Sequence, residues 1–504
     1  MRILSKSASQ FVPLLLCLTL VLRPATAVND IDLPDMGSPS DSVLSKATEE
    51  QIGMSIYRNL QSVDAIISDP EVQEYIQNVG LKLASHVQDD GENFQFFVIN
   101  DNAINAFALP GGYIGIHTGL LLTTKTESEL AGVMAHEIAH VTQRHISRAV
   151  FANRNASVIN MATMLGAILL GVATGAGGDF ITGAVMASQG MAIQQQIDFT
   201  RANEYEADRV GVSIMSDAGF DPQGMPDYFE TMSRLTGLGA RNVPEFLLTH
   251  PVTTTRIAET RGRASQYERK IVNSSNAYSL IKARLVYLTA KRPDLALQFF
   301  ENKDSNPQIG DSLAVQYGLA LSLMGTNQTA AAEKLLTDLL RSNEQIIMFH
   351  SGLAQAQIAN GKTAEGFSTF QQAMKLFPRN VPLTVRYAEA LLNNGEPKQA
   401  HTILLDLLNA VPPTSEQIRL IALAANAAGD VADSHYYMAE YHAYRGNLSM
   451  ALMQLQLALD TPGLDPLQKS RLRARLAQFE GYLPENQRRA RQQQRAPEQR
   501  PESE

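Results

Sequence analysis

Thr126-Glu127-Ser128-Glu129-Leu130-Ala131-Gly132-Val133-Met134-Ala135-His136-Glu137-Ile138-Ala139-His140 carries a helix start signal and two histidines that share one helix face. Thr126 with Glu129 three residues on is a capping box, in which each side chain satisfies the other residue's free amide. The helix predicted here runs over 127–150. Leu130, Val133 and Met134 mark it as a packed helix. Positions i and i+4 lie on one face, so His136 and His140 can grip one zinc ion. Glu137 beside them can reach a water activated there. Zinc brings that water's pKa toward about 7, and the carboxylate takes the proton as the water attacks a peptide carbonyl.

A catalytic zinc site takes a third protein ligand and leaves one open position. The segment Asn203-Glu204-Tyr205-Glu206-Ala207-Asp208, on a helix predicted over 190–217, offers it. Glu204 and Asp208 share a face, Glu206 points away, and small Ala207 allows close approach of the two helices. Glu204 then serves as ligand and Asp208 orients an imidazole. Taken alone, the same carboxylates also read as surface charge. His145 falls about 140° around a continuous helix from His140 and is not expected at the same centre. His117, on a short strand, is expected to pack.

Working outward, 43–61 and 70–87 read as helices. Phe94 to Ile99 and Tyr113 to His117 read as short strands, the second entered through Pro110-Gly111-Gly112. Between the candidate ligands lies an apolar run, 156–177, with Asn160 as its strongly polar residue. It is marginally long enough to span a bilayer. A peripheral helix and loop that covers the cleft and touches a membrane is favoured over a span.

From about 275 to 480 the grammar changes. Gly361, Gly395 and Gly429 are 34 residues apart, as are Pro378 and Pro412, and Ala354 and Ala388. Helix, Gly-containing turn, helix and Pro with this period resemble tetratricopeptide repeats, about four to six of them. Such pairs cannot bury their apolar faces alone, so they stack into a curved solenoid.

The chain has 504 residues, 44% hydrophobic and 18% charged, with one cysteine, no tryptophan and a formal charge of −9. This excludes a disordered chain, a disulfide-stapled fold and a cysteine-based metal site, and the acidic balance speaks against a nucleic-acid partner. Residues 1–27 read as a secretory signal. Arg2 and Lys6 open it, Phe11 to Leu22 are apolar, and Ala25-Thr26-Ala27 marks the cleavage site. Cleavage there removes three positive charges and Cys17, which leaves a formal charge of −12 and no thiol. That suits an oxidising compartment. Residues 28–40 read as a flexible lead-in, and 486–504, rich in Gln, Arg, Glu and Pro, as a disordered tail.

The His-Glu-x-x-His helix followed by Glu-x-x-Ala-Asp at 204–208 resembles the M48 family of zinc metallopeptidases, a gluzincin group. The run Asn105 to Ile114, and Thr249-His250-Pro251 with Arg256, match the same family. The resemblance implies a mainly α fold: a gluzincin-type metalloprotease domain with a small β-sheet over 41–270, then an α-solenoid of tetratricopeptide repeats over 271–485. It implies one Zn2+ per chain on His136, His140 and Glu204, with Glu137 as general base and Asp208 behind a ligand. Gly112, Tyr113 and Ile114 are expected on the edge strand that pairs with an extended substrate. The resemblance also suggests His250 as a regulatory fourth ligand. Spacing alone leaves it equally a loop histidine bonded to backbone. The resemblance, extended to the whole order of export signal, peptidase and repeats, implies a periplasmic quality-control endopeptidase of a Gram-negative bacterium. It also implies the partners, unfolded or stalled outer-membrane β-barrel proteins and their assembly machinery, which no residue specifies by itself. The alternative is a non-proteolytic chaperone or scaffold with a latent or structural zinc site.

Overall fold

The computed structural model describes residues 44–87, 93–152, 201–236, 244–268, 272–302, 312–483 and 485. The expected signal at 1–27, the lead-in 28–40, the apolar run 156–177, the first part of the helix predicted over 190–217 and the tail 486–504 lie outside the described residues. From Ser40 on, the chain forms one compact unit. No described helix is long and apolar enough to cross a membrane.

The N-terminal half opens with α1 (Lys46–Ser62) and α2 (Pro70–Ala84). Asp69 caps α2, accepting from Val72 N at 3.1 Å, with Pro70 pre-set for the first turn. Three strands follow, β1 (Gln95–Ile99), β2 (Ala106–Leu109) and β3 (Tyr113–His117), in the order β1-β3-β2. β1 runs parallel to β3, and β2 antiparallel. Gly111 and Gly112, at φ 75° and 82°, make the turn between β2 and β3. A Cβ on Gly112 would lie 2.6 Å from Asn93 O, so only glycine fits.

This order corrects the expected edge strand. Tyr113 pairs with Gln95 on one side and Leu109 on the other, and Ile114 with Phe96 and Ala108. Gly112 is in the turn, its carbonyl accepting from Gln95 N at 3.0 Å. The hairpin supplies two strands, and the pairing of distant β1 decides which of them is interior. The outer edge of β1 is sealed: Ile67 N donates to Val98 O, Gln73 Nε2 to Phe96 O, and Phe96 N to Gln77 Oε1. The remaining edge belongs to β2.

Then come α3 (Thr118–Thr123), α4 (Glu127–Thr142), α5 (His145–Ala152), α6 (Arg201–Asp217), α7 (Gly224–Thr236), α8 (Glu245–Thr249) and α9 (Thr254–Ala264). The helix predicted over 127–150 is two helices. Arg144 sits at φ 52°, a left-handed conformation that ends α4, and α5 restarts at His145. Val72, Ile76, Phe96, Ile114, Ile116, Leu130 and Met134 close one core, each fully buried. A side chain of that size contributes about 1.5–3 kcal/mol on burial.

Six helix pairs complete the described fold: α10 (Asn276–Thr289) with α11 (Pro293–Glu301), α12 (Ser312–Gly325) with α13 (Thr329–Ser342), and α14 (Ile347–Ala359) with α15 (Thr363–Leu376). After these come α16 (Val381–Asn393) with α17 (Pro397–Leu408), α18 (Ser415–Ala427) with α19 (Val431–Tyr444), and α20 (Leu448–Leu459) with α21 (Pro466–Gly481). Gly361, Gly395 and Gly429 turn their pairs at φ 82° to 88°. The same register reaches Asn327 at φ 62° and Gly463 at φ 84°, each 34 residues beyond the glycines the sequence reading used. Asn tolerates this region better than other side-chain-bearing residues, which hides one repeat from a glycine count.

The halves share their core. Tyr278, Ile281 and Leu285 of α10 belong to the N-terminal cluster, and Met348 of α14 packs against it. Lys282 Nζ and Tyr278 Oη both donate to Thr124 O, at 2.6 and 2.8 Å. Asp69 and Glu71 on α2 face Arg284 of α10 and Arg386 of α16, with N–O distances of 2.6–3.0 Å. Asn380 Nδ2 donates to Glu74 Oε1, Gln61 Nε2 to Ser415 Oγ and Arg58 Nε to Tyr444 O. α1 and α2 thus dock against α10, α16 and the ends of α18 and α19, so the chain's own N-terminal half covers part of the solenoid.

Candidate metal centre

α4 starts on Thr126, whose Oγ1 accepts from Glu129 N at 3.1 Å. The reciprocal bond of the expected capping box goes one residue earlier: Lys125 N donates to Glu129 Oε2 at 2.7 Å. α6 lies against α4 at close range. Ala207 is fully buried, and a Cβ on Gly211 would lie 3.2 Å from the backbone of Ala135 and His136. Gly211, which the sequence reading passed over, therefore sets the helix spacing together with Ala207.

His136, His140, Glu204 and His250 converge, each offering one donor atom within 4.8 Å of the others. His136 Nε2 lies 3.0 Å from His140 Nε2, 3.3 Å from His250 Nδ1 and 3.5 Å from Glu204 Oε2. Glu204 Oε1 is 3.5 Å from His140 Nε2 and 3.2 Å from His250 Nδ1. Donors about 2.0–2.1 Å from a common tetrahedral centre stand about 3.3–3.4 Å apart. The separations and the three-imidazole, one-carboxylate donor set both fit a metal such as zinc. All four residues are buried.

The electrostatics agree. Burial would push the His136 imidazole down, but Asp208 and Glu204 beside it win and bring it up to about 9. Burial raises Glu204, yet His250 and His136 hold it well below the usual carboxylate range. His140 is pushed well below the ordinary histidine value, first by burial and then by His136. Glu204 is therefore ionised and His140 neutral, the forms in which each can donate to a metal.

His136 Nδ1 faces Asp208 Oδ1 at 3.0 Å. Arg256 clamps Asp208 through two bonds of 2.6 and 2.8 Å, and its Nη1 reaches Glu204 Oε2 at 2.7 Å and Pro251 O at 3.0 Å. Glu137 is 1% exposed, accepts from the Ala108 backbone of β2 and lies 3.5 Å from His250 Nε2. Burial raises its carboxyl above the ordinary value. His250 follows α8 directly, with the Phe246 ring stacked at 5.0 Å and Phe246 N donating to Ile104 O just before β2. His117 packs edge-on against Phe107 at 5.9 Å and is kept near pKa 4 by burial.

Residues 70–264 match peptidase family M48 and 357–424 a tetratricopeptide repeat. The β-barrel assembly-enhancing protease of Escherichia coli strain K12 is 34% identical over 91% of this chain and 93% of its own. The chain belongs to the β-barrel assembly-enhancing protease family. A putative member from Vibrio cholerae is 34% identical over 92% of this chain and 96% of its own. The mitochondrial metalloendopeptidase OMA1 of Saccharomyces cerevisiae is 31% identical over 39% and 51%.

This member of the β-barrel assembly-enhancing proteases is an M48 metallopeptidase with a tetratricopeptide-repeat solenoid. Two residues near the centre escaped the sequence reading in different ways. Arg256 was legible only as a motif residue, because its partners lie 48 and 52 positions upstream. His145 was set aside on helix geometry. The break at Arg144 brings its Nδ1 to 2.8 Å from His140 Nδ1.

Proposed function

We propose that the chain is an exported zinc endopeptidase and chaperone-like quality-control factor. It degrades unfolded or stalled outer-membrane β-barrel proteins in the periplasm, after signal cleavage near Ala27. Residues 41–270 form the peptidase module, and the repeats over 271–485 engage clients and their assembly machinery. The names and coverage of the relatives support the client class. The observation that carries the chemistry is the set of five donor separations between 3.0 and 3.5 Å beside a buried Glu137.

His136, His140 and Glu204 hold the metal. Zinc there supplies Lewis-acid charge that activates water and polarises a peptide carbonyl at neutral pH. Glu137 takes the proton of the attacking water and passes it to the leaving amine. The hydrogen bond from Ala108 fixes the carboxylate, and burial, which outweighs that bond and the neighbouring histidines, makes it a stronger base than an exposed one. The Asp208 carboxylate, 3.0 Å from His136 Nδ1, holds that edge of the ring and leaves Nε2 turned to the metal site. An extended client segment adds to the remaining sheet edge, β2, through main-chain hydrogen bonds that demand little of its sequence.

His250 is the regulatory fourth ligand. Its Nδ1, 3.3 Å from His136 Nε2, would fill the position that a catalytic site leaves open, and its Nε2 lies 3.5 Å from Glu137. Cleavage requires α8 and His250 to withdraw. Degradation of an unfolded model protein by wild type, His250→Ala and Glu137→Gln tests this. His250→Ala should exceed wild type, and Glu137→Gln should be inert with its metal retained. Wild-type cleavage by Glu137→Gln removes the general-base assignment. Zinc-loaded forms that never cleave favour the scaffold reading, in which four protein ligands make a structural site.

A further inference from the structure

His145 is not one of the four converging residues, yet it is fully buried and its ring stands edge-on to His140 with centroids 4.9 Å apart. His140 turns Nε2 into the cluster, 3.0 Å from His136 Nε2. With Nε2 given to a metal, its ring proton sits on Nδ1, and His145 Nδ1 faces it at 2.8 Å as the acceptor. That fixes the tautomer of His145 in turn. Its proton is on Nε2, which donates to Glu206 Oε2 at 3.3 Å. Glu206 is itself anchored by Arg148 Nη1 at 2.9 Å. The two motif histidines are therefore backed differently, His136 by a carboxylate and His140 by a neutral imidazole that leans on a carboxylate.

The backbone is arranged for this contact. Had α4 continued, His145 would have pointed elsewhere. Arg144 instead adopts φ 52°, secured by bonds from Nη2 to Leu44 O at 2.9 Å and Glu49 Oε2 at 3.1 Å. A side chain that bears a Cβ keeps such a conformation only where its surroundings impose it.

We propose that His145, oriented by Glu206, is a positioning residue that holds His140 in its metal-binding tautomer and orientation. This rests on the metal reading of the cluster. A ligand's outer hydrogen-bond partner is worth about 10–100-fold in metal affinity. A histidine that merely fills space contributes packing and no affinity that a hydrogen-bond acceptor could restore.

The experiment measures Zn2+ affinity by competition with a chromophoric chelator in wild type, His136→Ala, His145→Leu, His145→Asn and Glu206→Ala. Melting of the metal-free proteins reports folding. His145→Leu should bind zinc about 10–100-fold more weakly, and Glu206→Ala roughly 3–10-fold more weakly. His145→Asn, whose Oδ1 can replace the Nδ1 acceptor, should stay within about threefold of wild type. Wild-type affinity in a folded His145→Leu overturns the proposal, as does a loss in His145→Asn as large as in His145→Leu. Should His145→Leu not fold, Glu206→Ala decides, because Glu206 is 26% exposed and its truncation leaves the core intact. Equal affinity in wild type and His136→Ala overturns the metal reading and this inference together. A weakened His136→Ala beside an unchanged His145→Leu overturns this inference alone.

Discussion

Arg256 binds Asp208 with Nε at 2.6 Å and Nη2 at 2.8 Å, so one guanidinium fixes the carboxylate that faces His136. Its third nitrogen reaches Glu204 and the carbonyl of Pro251, the residue after His250. One buried cation therefore ties Glu204, the carboxylate beside His136 and the segment that carries His250. Arg256→Met should destabilise the protein by about 3–5 kcal/mol, because it leaves two buried carboxylates without their partner. Arg256→Lys should recover only part of this, since an ammonium cannot make the paired contact. Urea unfolding of the three proteins gives the comparison, and a loss below about 1 kcal/mol in Arg256→Met would contradict the assignment.

Metal removal should lower the melting temperature reversibly. At free zinc 100 times its dissociation constant, binding contributes about 2.7 kcal/mol. Chelator-treated protein should melt lower and regain its melting point with one equivalent of zinc. The same treatment should leave His136→Ala unchanged. An identical response in that variant would place the metal elsewhere.

Acid should loosen the contact between α2 and the solenoid. Burial pushes the Asp69 carboxyl up, but Arg284, Arg386 and the cap bond from Val72 outweigh it and hold it at about 2. A carboxyl whose pKa is lowered by folding contributes stability above its unfolded value, about 3.9, and loses it as pH falls toward 2. The full contribution is about 2–3 kcal/mol, at one pKa unit per 1.36 kcal/mol. Asp69→Asn should therefore be less stable than wild type at pH 6, and the gap should shrink between pH 4 and pH 2. Urea titrations at those pH values measure it, and a gap independent of pH would exclude the ion pair as its source.

The turn between α12 and α13 tests the repeat register. Asn327 holds φ 62° where later repeats carry glycine. Asn327→Gly should leave the melting point within a degree or two. Asn327→Val should cost about 1–2 kcal/mol, because a β-branched residue resists the left-handed region. Equal stability of the two variants would mean that this turn relaxes at no cost.

The shared face of His136 and His140, and the 34-residue solenoid period, could be read from consecutive residues because helix geometry and repeat length are local properties. Four residues return a side chain to the same face, and a turn needing positive φ recurs with the repeat. Glu204, Asp208 and His250 entered through a resemblance, since nothing local tells a ligand carboxylate from a surface one. Other features depended on residues far apart in the chain. β3 is interior because β1 pairs with its far side. Asp69 is buried because Arg284 and Arg386, 215 and 317 positions away, neutralise it. His145 meets His140 because Leu44 and Glu49 hold Arg144 in the conformation that ends α4. Periodicity is set by covalent geometry, whereas pairing, charge compensation and backbone strain are set by whatever neighbour packing brings, and that is decided only when the whole chain has closed.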